Sequence, residues 1–203
     1  MSFCYKKYLV LFIVVLAYAY ATKKELVVTH SNPEVEYSGR IEVSNNNGVT
    51  LFWSGTSIKL NFEGTSIAGL FKDERGDNYY NIILDQDSIS IFKPDTIKQY
   101  HQLAKNLKKG KHTIEIFKRT EWNRGKTNFY GFKLEGTPPL LLPKTVQQKR
   151  KIEFYGNSIT AGYAVEDFSG KDSPDSTYTN NYLSYAAITA RHFNGLIDRQ
   201  NNI

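Results

Sequence analysis

The sequence predicts a mainly β protein: an N-terminal β-sandwich or jelly roll followed by an incomplete α/β unit. Three observations predict it. The first is composition. Aromatic residues make up 14% of the 203 positions, with 14 Tyr and 12 Phe, and aromatic and β-branched side chains favour strands. The second is punctuation: from Ser38 to Leu134, short apolar segments alternate with turn residues at regular spacing, as in sandwiches and jelly rolls. The third is a change of pattern after Lys151, where one apolar strand runs into a glycine turn and then a helix-period segment, the opening of an α/β unit.

In chain order, residues 1–21 read as a signal peptide. Lys6 and Lys7 precede the uncharged apolar run Tyr8 to Ala17, and Ala19-Tyr20-Ala21 fits a small-x-small cleavage site. The run is short for a membrane span, which takes roughly 20 residues, so cleavage is expected, with a retained anchor as the alternative. After cleavage no membrane association is expected, and the protein is expected to be secreted or periplasmic. Cys4 is the only cysteine. The mature chain would then have no disulfide, thiol nucleophile or cysteine metal site, which suits a bacterial exporter.

Thr22 to Tyr37 reads as an irregular lead-in. Residues 34–142 form the predicted β domain. Its expected strands are Arg40-Ser44, Thr50-Trp53, Ser57-Phe62, Ser66-Phe71, Tyr79-Leu84, Ser88-Phe92, Tyr100-Ala104, Lys111-Lys118 and Phe129-Leu134. Period-two alternation is clearest at Ile58-Leu60-Phe62 and Ile114-Ile116. The separators are rich in Gly, which accepts positive φ, and in Asn and Asp, which bond their own backbone. Leu140 to Lys151 reads as a connector.

Residues 150–203 form the second part. Lys151 to Tyr155 is a predicted strand, Ile159 to Pro174 a loop, and Thr179 to Phe193 a helix, with Tyr182, Ala186, Ala190 and Phe193 at helical spacing and Thr179 or Asn180 as its cap. These residues are too few to complete a parallel sheet, whose crossover units take roughly 30 residues each.

Between strand and loop lies Gly156-Asn157-Ser158-Ile159-Thr160. A serine hydroxyl needs a base and an oxyanion donor to act as a nucleophile. Placed on a sharp turn after a strand, one serine offers both its Oγ and its own N–H to one cavity. Gly156 permits the turn, and a following helical turn would add a favourable dipole. Catalytic Ser158, with Gly156 and Asn157 in its loop, is therefore the candidate site. On this pattern alone a plain turn is the competing reading.

The longer string Tyr155-Gly156-Asn157-Ser158-Ile159-Thr160-Ala161-Gly162-Tyr163 resembles the first sequence block of SGNH (GDSL-type) hydrolases. Upstream, Tyr37-Ser38-Gly39-Arg40, Lys118-Arg119-Thr120-Glu121 and Phe129-Tyr130-Gly131-Phe132 resemble carbohydrate esterase family two, the acetyl-xylan-esterase group, whose members join a jelly roll to an SGNH domain. The resemblance covers about Tyr37 to Asn194. It implies a serine hydrolase that deacetylates xylan-type plant polysaccharide, with Ser158 as nucleophile and no metal or cofactor. Asn157 stands where the commonest block has Asp, and Ala164 where glycine usually follows Tyr163. The resemblance also implies a histidine base in an Asp-x-x-His motif and further oxyanion donors on later loops. This sequence contains no Asp-x-x-His, and the resemblance fades after Asn194. The expectation is a truncated or frame-shifted product, inactive alone. A non-catalytic glycan-binding jelly roll and a non-functional gene fragment are the alternatives.

The remaining candidates have plainer readings. His192 is expected to be a surface contact late in the helix, and His101 and His112 to be solvent-facing. Trp53 is expected in the core, while Trp122 is an equal candidate for core or glycan contact. Glu166, Asp167, Asp172 and Asp175 lack a calcium-loop spacing, so a solvated loop is expected. Net charge is +6, but the basic clusters near Lys105–Lys111 and Lys144–Lys151 lack interleaved aromatics, so no nucleic acid partner is expected.

Overall fold

The computed structural model describes residues 24–44, 48–144, 151–193 and 196–200. The expected signal segment 1–21 lies outside the described residues.

Two antiparallel sheets lie face to face. Their strands are β1 (Lys24–Thr29), β2 (Glu36–Ser38), β3 (Ile41–Ser44), β4 (Gly48–Leu51), β5 (Ser57–Glu63), β6 (Ser66–Asp73), β7 (Tyr80–Leu84), β8 (Ser88–Phe92), β9 (Gln99–Lys105), β10 (Lys111–Lys118), β11 (Thr127–Gly136) and β12 (Leu140–Leu141). One sheet runs β3-β4-β11-β6-β9, with β1 also on β11. The other runs β12-β5-β10-β7-β8, with β2 also on β5. All nine predicted strands are present. The lead-in is not irregular, since β1 and β2 arise within it, and Leu140–Leu141 leaves the connector to pair with β5.

β11 organises the first sheet. One edge pairs with β6, and the other pairs with β4 over Thr127–Phe129 and with β1 from Gly131 onward. The register on β6 shifts between Phe129 and Gly131, a bulge that lets one strand serve two neighbours on the same edge. The core fills the space between the sheets, with Ile58, Leu60 and Phe62 of β5 and Ile114 and Ile116 of β10 facing Phe71, Phe129 and Phe132. Fully burying a side chain of this size contributes about 1.5–3 kcal/mol.

The second part begins with β13 (Lys151–Tyr155), which pairs in parallel with β14 (Leu196–Gln200). Between them lie the short helix α1 (Ser158–Ala161), two 3-10 turns at Ser176–Tyr178 and Asn181–Leu183, and helix α2 (Tyr185–His192). The predicted helix from Thr179 is thus divided. Ser184 is extended and caps α2 by accepting from the Ala187 N–H, because Asn180 and Asn181 are engaged elsewhere. Ala187 and Ala190, with Phe154 and Tyr182, pack on Ile83 and Phe117 of the second sheet's outer face. Among the described residues no helix is long and apolar enough to cross a membrane.

His112 departs from its expected solvent-facing role. Its Nδ1 is 2.8 Å from Asp85 Oδ2 and its Nε2 is 2.8 Å from the Lys108 carbonyl. Both partners accept, so both ring nitrogens carry protons in this arrangement. Burial opposes the charge, but Asp85 and the Lys108 carbonyl more than offset it and raise the pKa above 6.5. A raised folded pKa means that the contribution is full below the unfolded value and is lost as pH rises through the folded one. The stability difference between wild type and His112→Gln, from urea unfolding, should therefore shrink above about pH 6.5. A difference independent of pH would contradict this pairing.

Candidate active site

β13 delivers the chain to Gly156, and Asn157 turns it by accepting a hydrogen bond from the Ile159 N–H at 3.1 Å. Ser158 is the first residue of α1 and is exposed. Among the described residues nothing hydrogen-bonds to its hydroxyl or its N–H. Both groups are therefore uncommitted there. The dipole expectation fails: α1 is a single turn, ended by Gly162 at φ +79°, too few aligned peptides for a macrodipole.

Gly156 is glycine for space. A Cβ there would clash with Thr160 Oγ1 and lie 2.8 Å from Thr160 Cβ. Thr160 Oγ1 in turn bonds the Tyr185 hydroxyl at 2.8 Å, tying α1 to α2. Gly162 combines its left-handed backbone with a close approach, since a Cβ would lie 2.5 Å from the Asn180 carbonyl oxygen. Ala164 adopts φ +49°, where a glycine would be less strained.

Two asparagines hold α1 from below. The Asn181 side-chain amide donates to the carbonyls of Ala161 at 3.0 Å and Thr160 at 3.4 Å. The Asn180 N–H donates to the Gly162 carbonyl at 2.9 Å, and its side-chain amide donates to Glu166 Oε1 at 2.9 Å. Glu166 Oε2 pairs with Arg119, just beyond the end of β10. The Arg119 side chain is 1% exposed. It also donates to the carbonyls of Thr177 at 3.0 Å and Thr179 at 3.2 Å, and its own carbonyl accepts from the Asn181 N–H. Burial lowers the guanidinium pKa, and Glu166 pulls it back.

Beside Arg119, Lys118 is wholly buried. Its ammonium donates to Asn78 Oδ1 at 2.6 Å, the Thr120 carbonyl at 3.0 Å and the Glu121 carbonyl at 3.2 Å. Asn78 passes the connection on to buried Asp73 at 2.9 Å. Burial pushes the Lys118 pKa down to about 7, against the pull of Asp73 and Glu121. This network holds the 3-10 turn Trp122–Arg124. Trp122 there is half exposed, and its ring centroid is 6.3 Å from that of Trp53. Trp53 is half-buried beside it rather than in the core.

The structure thus brings Gly156, Asn157 and Ser158 together on one turn. None of the four histidines hydrogen-bonds to Ser158. His192 is exposed late in α2, with its ring against Phe193, as expected of a surface contact. Asp167 accepts from Ser169 and Ser173, and Asp175 caps a 3-10 turn. Sequence reasoning missed Arg119, Glu166, Asn180 and Asn181 as supports of the loop. The one signal was the pair of charges at the point where β10 stops alternating.

The sequence profile described as Carbohydrate esterase 2 N-terminal matches residues 37–143. The cellulase/esterase CelE of Acetivibrio thermocellus is 37% identical over 163 residues, covering 80% of this chain and 20% of that protein. An acetylxylan esterase / glucomannan deacetylase of Cellvibrio japonicus is 26% identical over 164 residues, covering 81% of this chain and 45% of that one. Among solved structures, a family two carbohydrate esterase from Clostridium thermocellum in complex with cellohexaose superposes with a TM-score of 0.77 at 35% identity, over 82% of this chain and 50% of that one. The chain therefore spans less than half the length of these two curated relatives.

Proposed function

Because the chain belongs to the carbohydrate esterase 2 family, we propose that it carries the nucleophile of an esterase that removes acetyl groups from xylan-type plant polysaccharide. Ser158 is the nucleophile, and its N–H is one oxyanion donor. Residues 34–142 are the β domain, and residues 150–203 are the opening of the SGNH hydrolase domain. Residues 1–21 direct export, to the periplasm or out of the cell. The observation that carries this reading is the Ser158 turn, where the residue is exposed and neither its Oγ nor its N–H is hydrogen-bonded among the described residues.

In the reaction, Ser158 Oγ attacks the acetyl carbonyl as a base takes its proton. The sugar oxygen leaves with a proton, and water then releases acetate from the acetyl-serine. The Ser158 N–H bonds the carbonyl oxygen as charge builds there. Among the described residues no histidine hydrogen-bonds to Ser158, and without a base residues 1–203 alone are expected to keep only residual catalysis. The Trp53–Trp122 pair presents a partly exposed aromatic surface suited to a sugar ring, which supports glycan contact there whether or not the site turns over.

Acetate release from acetylated xylan tests the reading, measured on residues 1–203 and on the longest polypeptide that the locus encodes. Release by the longer form should fall about a thousandfold or more in Ser158→Ala, and residues 1–203 should stay near background. Release that is indifferent to Ser158→Ala overturns the assignment. Trp122→Ala should raise KM more than it lowers kcat.

A further inference from the structure

The β domain does more than stand beside the nucleophile turn; it holds it. We propose that Arg119 is a positioning residue: a buried arginine of the β domain that fixes the Ser158 turn through the segment Gly162–Asn181. The inference rests on the reading of Ser158 as the nucleophile.

Arg119 and Ser158 are linked by two short routes. In one, Arg119 Nη2 pairs with Glu166 Oε2, Glu166 Oε1 accepts from Asn180, and the Asn180 N–H bonds the Gly162 carbonyl that ends α1. In the other, the Arg119 carbonyl accepts from the Asn181 N–H, and the Asn181 side chain bonds the Thr160 and Ala161 carbonyls within α1. A one-turn helix cannot stabilise itself, because nucleation fixes several residues for each hydrogen bond gained. Its carbonyls must be held from outside, and Asn180 and Asn181 hold them.

The chemistry requires arginine. Nε and Nη2 reach the Thr179 and Thr177 carbonyls and the Glu166 carboxylate together, and Nη1 lies 3.5 Å from Asn81 Oδ1. A lysine ammonium is a single point and cannot span that fork. Glu166 is equally specific. A carboxylate accepts on both oxygens, from Arg119 and from Asn180, whereas a glutamine can accept on only one.

Amide hydrogen exchange in the full chain tests the proposal. The reporters are the Ala161, Gly162 and Tyr163 amides, which bond the Asn157, Ile159 and Ser158 carbonyls. Their rates should rise about tenfold or more in Arg119→Met, while the Ile114 and Ile116 amides of β10 change less than about twofold. Arg119→Lys should recover part of the protection. Glu166→Gln, whose side chain is partly exposed, should shift the same reporters by less and covers the case in which Arg119→Met fails to fold. Unchanged reporters in the folded variants would overturn the proposal, as would a uniform rise that includes β10. In a form that turns over, Arg119→Lys should lower kcat with KM nearly unchanged. The exchange readout is independent of turnover. If Ser158→Ala spares acetate release while the reporters respond, the nucleophile reading fails and the mechanical coupling stands.

Discussion

Replacing Lys118 by methionine should destabilise the fold by about 2–5 kcal/mol, among the largest single-residue effects expected in this chain. Methionine matches the length of the stem but offers no donor. The Thr120 and Glu121 carbonyls lose the Lys118 ammonium, and Asn78 Oδ1 keeps only its bond from Thr120 Oγ1. The loss should appear as a lower urea midpoint with an unchanged slope. A second signature is pH. A buried lysine held near pKa 7 binds fewer protons in the folded state than in the unfolded state, where the value is about 10.4. Stability from this group therefore rises with pH between about 7 and 10, opposite to the effect of His112. Lys118→Met should remove that rise. A loss below about 1 kcal/mol would show that the network is dispensable.

Gly156→Ala should unseat the Ser158 turn. Gly156 is not among the glycines of positive φ, so the effect comes from volume and not from backbone freedom. The added methyl would meet Thr160 Oγ1 and Cβ, and overpacking of this kind costs about 1–3 kcal/mol. Because Thr160 also bonds Tyr185, relief by moving Thr160 would strain the α1–α2 contact. Displacing the serine by about 1 Å is enough to cost about a hundredfold in rate. Thr160→Ala in the same chain should recover part of the stability. It removes the nearest atom, but the Cβ 2.8 Å away remains. A thermal midpoint and an acetate-release rate both equal to wild type in Gly156→Ala would contradict the steric account.

The sandwich was legible because its strands carry their own pattern. Ile58, Leu60 and Phe62 alternate in sequence and all face the core. β1 was not legible, since its apolar run shows no alternation and its partner β11 lies about a hundred residues away. The Ser158 turn was legible as a motif, but its one-turn helix was not, because four residues cannot display a 3.6-residue period. Lys118 and Arg119 were legible only as members of a family signature. Charged residues are normally solvated, and their burial here depends on Asn78, Glu166, Thr177 and Thr179, which are distant in sequence. Residue type places Trp53 in the core, whereas it lies half-buried beside the half-exposed Trp122. The expected end of the resemblance after Asn194 is followed by a backbone strand, β14, paired with β13.

We propose Ser158 as the nucleophile, presented on a turn that the β domain secures. The proposed role can be checked by treating the longest polypeptide of the locus with an organophosphate ester and mapping the adduct by peptide mass. A single adduct is expected on the peptide that carries Ser158, absent in Ser158→Ala and slowed in Arg119→Lys. An adduct on another residue, or labelling that persists in Ser158→Ala, would contradict it.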